Sequence, residues 1–171
     1  MLGLSSGEVK IFIPVFNAAK TIESVLQRSF EFVKPEHVVV VDDGSSDLSV
    51  QLIKKSGVTV LRHWENRGKG AALKTAFRYI IEQTNAKVLL SMDADAQHLP
   101  EELPGFVSAY NQTHADLIIG VRSFKPSLMP PQRIISNWLT SNLLSLKLGQ
   151  RIPDSQCGFR LYSRRLLERV D

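Results

Sequence analysis

At 171 residues, with 43% hydrophobic and 22% charged side chains, the chain is sized and composed as one soluble domain with a sizeable core. The single cysteine, Cys157, excludes an intramolecular disulfide framework and fits a reducing compartment, and no apolar run approaches the ~18 residues of a membrane span. The net charge of +4 is uneven: residues 1–121 carry 12 Lys/Arg against 14 Asp/Glu, and residues 122–171 carry 9 against 3, so the later part faces either solvent or an anionic partner.

The first seven residues lack the basic region and apolar core of a signal peptide. Val9 to Ile13 then reads as a strand ended by Pro14, and Ala18 to Val33 as a helix with Ile22, Val25, Leu26 and Phe30 on one face. His37 to Val41 is a strongly apolar strand followed by the turn Asp42 to Asp47; Leu48 to Ser56 is a helix and Val58 to Leu61 a strand. Gly68 to Thr84 is a helix with Ala72, Ala76, Tyr79 and Ile80 inward; Val88 to Met92 is a strand, Glu101 to Asn111 a helix and Leu117 to Gly120 a strand. The proline-rich stretch Ser123 to Gln132 reads as a loop, and Ile134 to Leu148 as an amphipathic helix with Ile135, Trp138, Leu139, Leu143 and Leu146 on one side. That face belongs either in the core or against a lipid surface. Arg164 to Val170 is a final helix. Strands alternating with helices predict an α/β fold with a mostly parallel sheet and helices on both faces. Ligands of such sheets sit beyond the carboxyl ends of the strands, and that is where Asn17, Asp42-Asp43, Asn66 to Lys69, Asp93 to Gln97 and Arg122 fall.

The sharpest of these clusters is Asp93-Ala94-Asp95. Two carboxylates two residues apart on extended backbone point the same way and repel unless something positive lies between them. A hard divalent cation, Mg²⁺ or Mn²⁺, resolves the conflict and completes its shell with substrate phosphates. The alternative is a turn that caps a helix opening at Pro100-Glu101-Glu102. Asp42 and Asp43 end a buried strand, where one can accept a hydrogen bond from a nucleobase N–H or both can serve the following turn. Asn66-Arg67-Gly68-Lys69-Gly70 opens a helix, so glycine backbone, helix N-terminus and Lys69 together suit an anion. Its spacing is neither a Walker A loop nor a dinucleotide fingerprint, and the four histidines lack zinc-ligand spacing.

Six segments occur in order: Ile13 to Asn17, Val41 to Asp47, Asn66 to Ala72, Met92 to Gln97, Gly120 to Arg122 and Asp154 to Arg160. Together they resemble the family 2 glycosyltransferases of the GT-A fold, a Rossmann-like α/β sheet, and within them the dolichyl- and polyprenyl-phosphate mannosyl- and glucosyltransferases. The resemblance spans nearly the whole chain and implies a single catalytic domain over 1–171, shortened at its C-terminus relative to its kin. It implies a metal-dependent inverting transfer of hexose from GDP-mannose or UDP-glucose to a lipid phosphate. Pro14, Asn17 and Asp43 would line the nucleoside pocket, and Lys69 and Asp93 would meet the diphosphate. Asp95 and Gln97, with Asp93, would hold Mg²⁺ or Mn²⁺. Arg122, Arg133 and Ser136 would receive the acceptor head group. In relatives with hydroxyl acceptors the residue at Asp154 would be the general base.

The same resemblance places the chain in the cytoplasm, in peripheral contact with the cytoplasmic face of a membrane, with no role for nucleic acid. One departure stands out. Ala18 replaces the Glu that usually follows Asn17, which removes a polar contact from the nucleotide side. A saccharide-directed transferase, a phosphoryl- or nucleotidyl-transferring α/β enzyme and a non-catalytic sugar-nucleotide binder are the competing readings. Aspartates after strands also occur in haloacid-dehalogenase-type phosphatases, but those need their D-x-D after the first strand, which here reads Ile13-Pro14-Val15.

Overall fold

The computed structural model describes residues 8–96, 99–121, 140–147, 149 and 151–170. Strand β1 (Val9–Val15) leads into helix α1 (Ile22–Ser29), and a 3₁₀ turn Pro35–His37 into β2 (Val38–Asp42). Then come α2 (Ser49–Lys55), β3 (Thr59–Arg62), α3 (Lys69–Gln83) and β4 (Val88–Ser91). A 3₁₀ turn at Pro100–Glu102 opens α4 (Leu103–Thr113), followed by β5 (Leu117–Ile119), a helical segment α5 at 140–147, β6 (Arg160–Ser163) and α6 (Arg164–Val170).

Among the described residues the strands form one six-stranded sheet in the order β3-β2-β1-β4-β6-β5. Neighbours β3, β2, β1 and β4 pair in parallel, and β6 alone runs against both of its neighbours. Successive side chains point to opposite faces, so each central strand must feed two cores. Ile11, Ile13, Val38, Val40, Leu90 and Leu161 face α1, α2 and α4 and pack on Ile22, Leu26, Ile53 and Leu103. Phe12, Val39, Val41, Leu89 and Tyr162 face the other way, onto Ala72, Ala76 and Ile80 of α3 and Leu167 of α6. The unbroken valine run of β2 is therefore required by burial on both sides.

From β1 the chain builds β2 and β3 to one side and then crosses to place β4 on the other, so β1 and β4 flank the point where the connection reverses. Their ladder stops at Phe12 opposite Ser91, whereas the β1–β2 ladder runs on to Val15 opposite Asp42. Pro14, expected to end β1, lies inside it. Val15 turns its carbonyl to β2, where it accepts from Asp43 N–H at 2.7 Å, and Phe12 accepts from Met92 N–H on the β4 side at 2.9 Å. Alternation gives Pro14 the same orientation as Phe12, so its missing donor falls where β4 has already parted from β1. The separation opens a cleft.

Other expectations shift locally. Helix α1 is shorter than Ala18–Val33; just before it, the Ala18 and Ala19 N–H groups donate to Ser49 Oγ (2.9 Å) and Asp47 Oδ2 (3.0 Å). The α4 helix begins at Leu103 because Pro100–Glu102 wind as a 3₁₀ turn. Strand β6 is not among the elements that the sequence pattern predicts. The expected loop at Ser123–Gln132, and Ile135, Trp138 and Leu139 of the amphipathic stripe, lie outside the described residues.

The turn after β2 depends on Gly44. Its φ is +77°, and a Cβ there would stand 2.5 Å from the Glu65 carbonyl carbon and 2.8 Å from Asn66 N. Both obstacles are backbone and do not swing aside. Gly44→Ala is expected to cost about 1–2 kcal/mol for the left-handed conformation and about 1–3 kcal/mol for the overlap. Thermal unfolding checks this: a melting temperature unchanged from the parent would contradict the close approach.

Candidate active site

The cleft between the β1 and β4 ends has a volume of about 1110 Å³. Its walls bring together Pro14 and Asn17 after β1, Asp43 after β2, Asn66, Gly68 and Lys69 at the start of α3, and Asp93 and Asp95 after β4. Phe16, half exposed, and Leu48 add apolar surface beside them.

The β1 and β2 loops are laced to each other. Asn17 takes the left-handed conformation, φ +51°, which its side chain tolerates. Its Oδ1 accepts from Ser46 N–H at 2.9 Å, and its own N–H donates to Ser45 Oγ at 2.9 Å. Asp47 accepts from the Ser49 hydroxyl and amide and from Ala19 N–H, and the Ser49 hydroxyl bond holds its carboxyl below the usual range. Much of the polar chemistry legible in these loops thus shapes the cleft wall.

The two aspartates of β2 separate in role. Asp42 is fully buried, accepting from Ser45 N–H at 3.3 Å and Arg62 Nε at 3.2 Å, and does not line the cleft. Asp43 does, at 4% exposure. Its Oδ1 meets His63 Nδ1 at 2.6 Å and Arg67 N–H at 3.0 Å, and its Oδ2 accepts from Gly68 N–H at 2.8 Å. Burial alone would raise this carboxyl's pKa, but the His63 ring bond and the two amides outweigh it and hold it below the usual range.

Across the cleft, Lys69 Nζ is paired with Asp93 Oδ1. Gly158, in the loop before β6, leaves room for that pair: a Cβ on it would overlap the Asp93 carboxylate and stand 2.7 Å from Lys69 Nζ. Its carbonyl accepts from the Ser91 hydroxyl at 2.7 Å, which pins the loop over β4. Asp95, two residues on, is exposed on the cleft wall. Thr21 of the α1 entry donates to Ala94 O at 2.6 Å and ties this turn to the opposite wall. The oxygen donors of Asp93 and Asp95 suit a hard cation, with one oxygen of Asp93 already on Lys69. Among the described residues no three His, Cys, Asp or Glu side chains converge as a self-sufficient metal cage.

Asp154 is placed differently. It is fully buried in the loop before β6 and is not among the described residues that line the cleft. Gln97, Arg122, Arg133 and Ser136 lie outside the described residues. Gly158, His63 and Thr75 were not singled out from the sequence. Gly158 falls within the Asp154–Arg160 segment that carries the family resemblance, and that placement was its only mark. His63 and Thr75 carried none.

A mostly parallel sheet, helices on both faces and a cleft at the reversal of strand order, walled by post-strand carboxylates, define the GT-A class of glycosyltransferases. Residues 10–171 match the glycosyl transferase family 2 profile, and the chain belongs to that family. It is 32% identical over 168 residues to protein MJ0544 of Methanocaldococcus jannaschii, covering 91% of this chain and 72% of that protein. It is 32% identical to the undecaprenyl-phosphate mannosyltransferase of Micrococcus luteus (95% of this chain, 69% of that one). With the polyprenol monophosphomannose synthase of Mycolicibacterium smegmatis it shares 30% identity (94% and 63%). The fold superposes on the glucosyl-3-phosphoglycerate synthase of Mycobacterium tuberculosis in complex with uridine diphosphate. The TM-score is 0.72 at 21% identity, over 92% of this chain and 57% of that one. The chain thus spans roughly two thirds of these sequence relatives.

Proposed function

We propose that the chain transfers a hexose from a nucleoside-diphosphate sugar to a polyprenyl phosphate, with a divalent cation at Asp93, Asp95 and Gln97. The observation that carries this reading is the convergence of Asn17, Asp43, Lys69, Asp93 and Asp95 on one cleft. The names of the relatives support it. Two transfer mannose to undecaprenyl or polyprenol phosphate by name, and a third, from Methanococcus voltae, transfers N-acetylglucosamine from its UDP form to dolichyl phosphate. The Mycobacterium tuberculosis structure also exists in complex with Mn²⁺ and UDP-glucose.

The donor's nucleoside would enter between the β1 and β2 loops, with its diphosphate toward Lys69 and the D-x-D turn. When bound, a cation there offsets charge on the departing diphosphate. Lys69 adds a fixed positive charge from the start of α3, where the helix N-terminus already favours anions. The acceptor phosphate oxygen attacks the anomeric carbon as the bond from that carbon to the diphosphate oxygen breaks. A lipid phosphate is already anionic, so no side chain need remove a proton. That agrees with Asp154 being fully buried rather than presented to the cleft.

Arg122 and Arg133 would grip the acceptor phosphate bidentately, and Lys at either position should weaken acceptor binding because the fork geometry is lost. The exposed Leu143 and Leu146 of α5 would then meet lipid. No helix among the described residues is long and apolar enough to cross a membrane. Transfer of radiolabelled sugar to polyprenyl phosphate, measured beside soluble saccharides, tests the assignment. Labelling of the lipid alone is the expected result. Labelling of saccharides alone would overturn it and move the weight to Asp154 as a general base.

A further inference from the structure

Behind the cleft wall lies a chain of polar groups that the proposed reaction does not itself use. His63, 7% exposed, follows β3 and points one ring nitrogen at Asp43 and the other at α3. Nδ1 lies 2.6 Å from Asp43 Oδ1, and Nε2 lies 2.9 Å from Thr75 Oγ1. Asp43 is ionised in the folded protein, so Nδ1 carries the proton it donates, and in the neutral ring Nε2 accepts from the Thr75 hydroxyl.

The same carboxylate receives the amides of Arg67 and Gly68, the two residues before Lys69. Asp43 therefore holds the loop that delivers Lys69, and His63 holds Asp43. Thr75 lies on the helix that Lys69 opens, so the chain closes a ring: loop, carboxylate, imidazole, helix and loop again. Gly44 presses on the same loop from the β2 side. If His63 loses its donor toward Asp43, the carboxylate is free to turn, and the two amides lose a fixed acceptor. Buried networks of this kind hold a unique geometry only while each member is satisfied.

We infer that His63 is a positioning residue for the diphosphate clamp: through Asp43 it fixes the Asn66–Lys69 loop and so sets how well Lys69 meets the donor's phosphate nearest the sugar. This deepens the proposed nucleotide-sugar reading and rests on it.

Two nearly isosteric substitutions separate the two ring nitrogens. In His63→Asn the side-chain amide N–H falls where Nδ1 was and keeps the Asp43 bond. In His63→Gln the side-chain amide reaches where Nε2 was, so its carbonyl oxygen can accept from the Thr75 hydroxyl while Asp43 loses its ring donor. Calorimetry with GDP, UDP, GMP and UMP, each with Mn²⁺, reads the result, and melting curves confirm that both variants fold. His63→Gln should weaken the diphosphate that the parent binds by at least tenfold, with a clearly smaller loss for the matching monophosphate, which meets Asp43 but not Lys69. His63→Asn should stay within threefold of the parent for both. In turnover, the Gln variant should raise donor KM with kcat held within threefold. Equal losses in the two variants, or an equal loss for mono- and diphosphate, would overturn the inference while leaving the cleft a nucleotide site. A parent protein that binds none of the four nucleotides would overturn the site reading and this inference together.

Discussion

Gly158→Ala is expected to lower sugar transfer by about 10²-fold or more, the cost of displacing a catalytic group by about 1 Å, while the fold survives. The added methyl group lands on the Asp93 carboxylate and the Lys69 ammonium. Both are the ends of flexible side chains, so they swing away and little strain reaches the backbone. A penalty near 1 kcal/mol would move the melting temperature by only about 2–4 °C in a chain of this size. The site bears the rest, because the Lys69 ammonium and one of the two D-x-D carboxylates are displaced together. Nucleotide calorimetry beside a melting curve makes the test. Full binding in the Ala variant would show that Gly158 is mere loop filler. A collapsed melting temperature would show that the clash reaches backbone, as it does at Gly44.

Asp95→Ala should remove the dependence of donor binding on metal. Asp95 is exposed on the cleft wall, and its carboxylate supplies a hard oxygen that Ala cannot replace. Even altered outer-shell partners cost roughly 10–100-fold in metal affinity, so loss of a direct ligand should cost at least that. In the parent, calorimetry with the nucleotide sugar should show tight binding with Mn²⁺ and weak binding with excess chelator. In the variant the two titrations should coincide at the weak value. Equal affinity with and without chelator in the unmutated protein would refute the metal assignment.

Much of this architecture is legible in the sequence alone, and the reason is local. Val38 to Val41 can only be a strand buried on both faces, and Ala72, Ala76 and Ile80 fall on one side of a helix by spacing alone. The clusters after β1 to β4 could be placed at one sheet edge because parallel crossovers leave little choice of topology. What escaped was set by distant partners. Pro14 looked like a strand end, since nothing in its neighbourhood says that β4 parts from β1 there. Ala18 and Ala19 read as helix, yet Ser49 and Asp47, some thirty residues on, claim their N–H groups. Strand β6 pairs across a connection of more than sixty residues from β4, and its reversed direction has no local mark. The site was legible as a list of residues and not as a division of labour. Asp42 and Asp43 are adjacent and chemically identical, and only the register of β2 decides which one the cleft receives.

The parting of β1 from β4 has a consequence for how such a chain can be recombined. Every described residue that walls the cleft belongs to the stretch Pro14–Asp95, on both sides of the point where the strand order reverses. Among the described residues after Asp95, β5 and β6 extend the far edge of the sheet, and Gly158 and the four β4–β6 pairs reach back toward the cleft. Exchanging the stretch from β5 onward for the corresponding stretch of a relative therefore alters what arrives at the cleft without rebuilding its described wall. The graft must keep a glycine over Lys69 and Asp93 and a strand that pairs with Val88 to Ser91. One encoded half can then be inherited with many successive partners for the other.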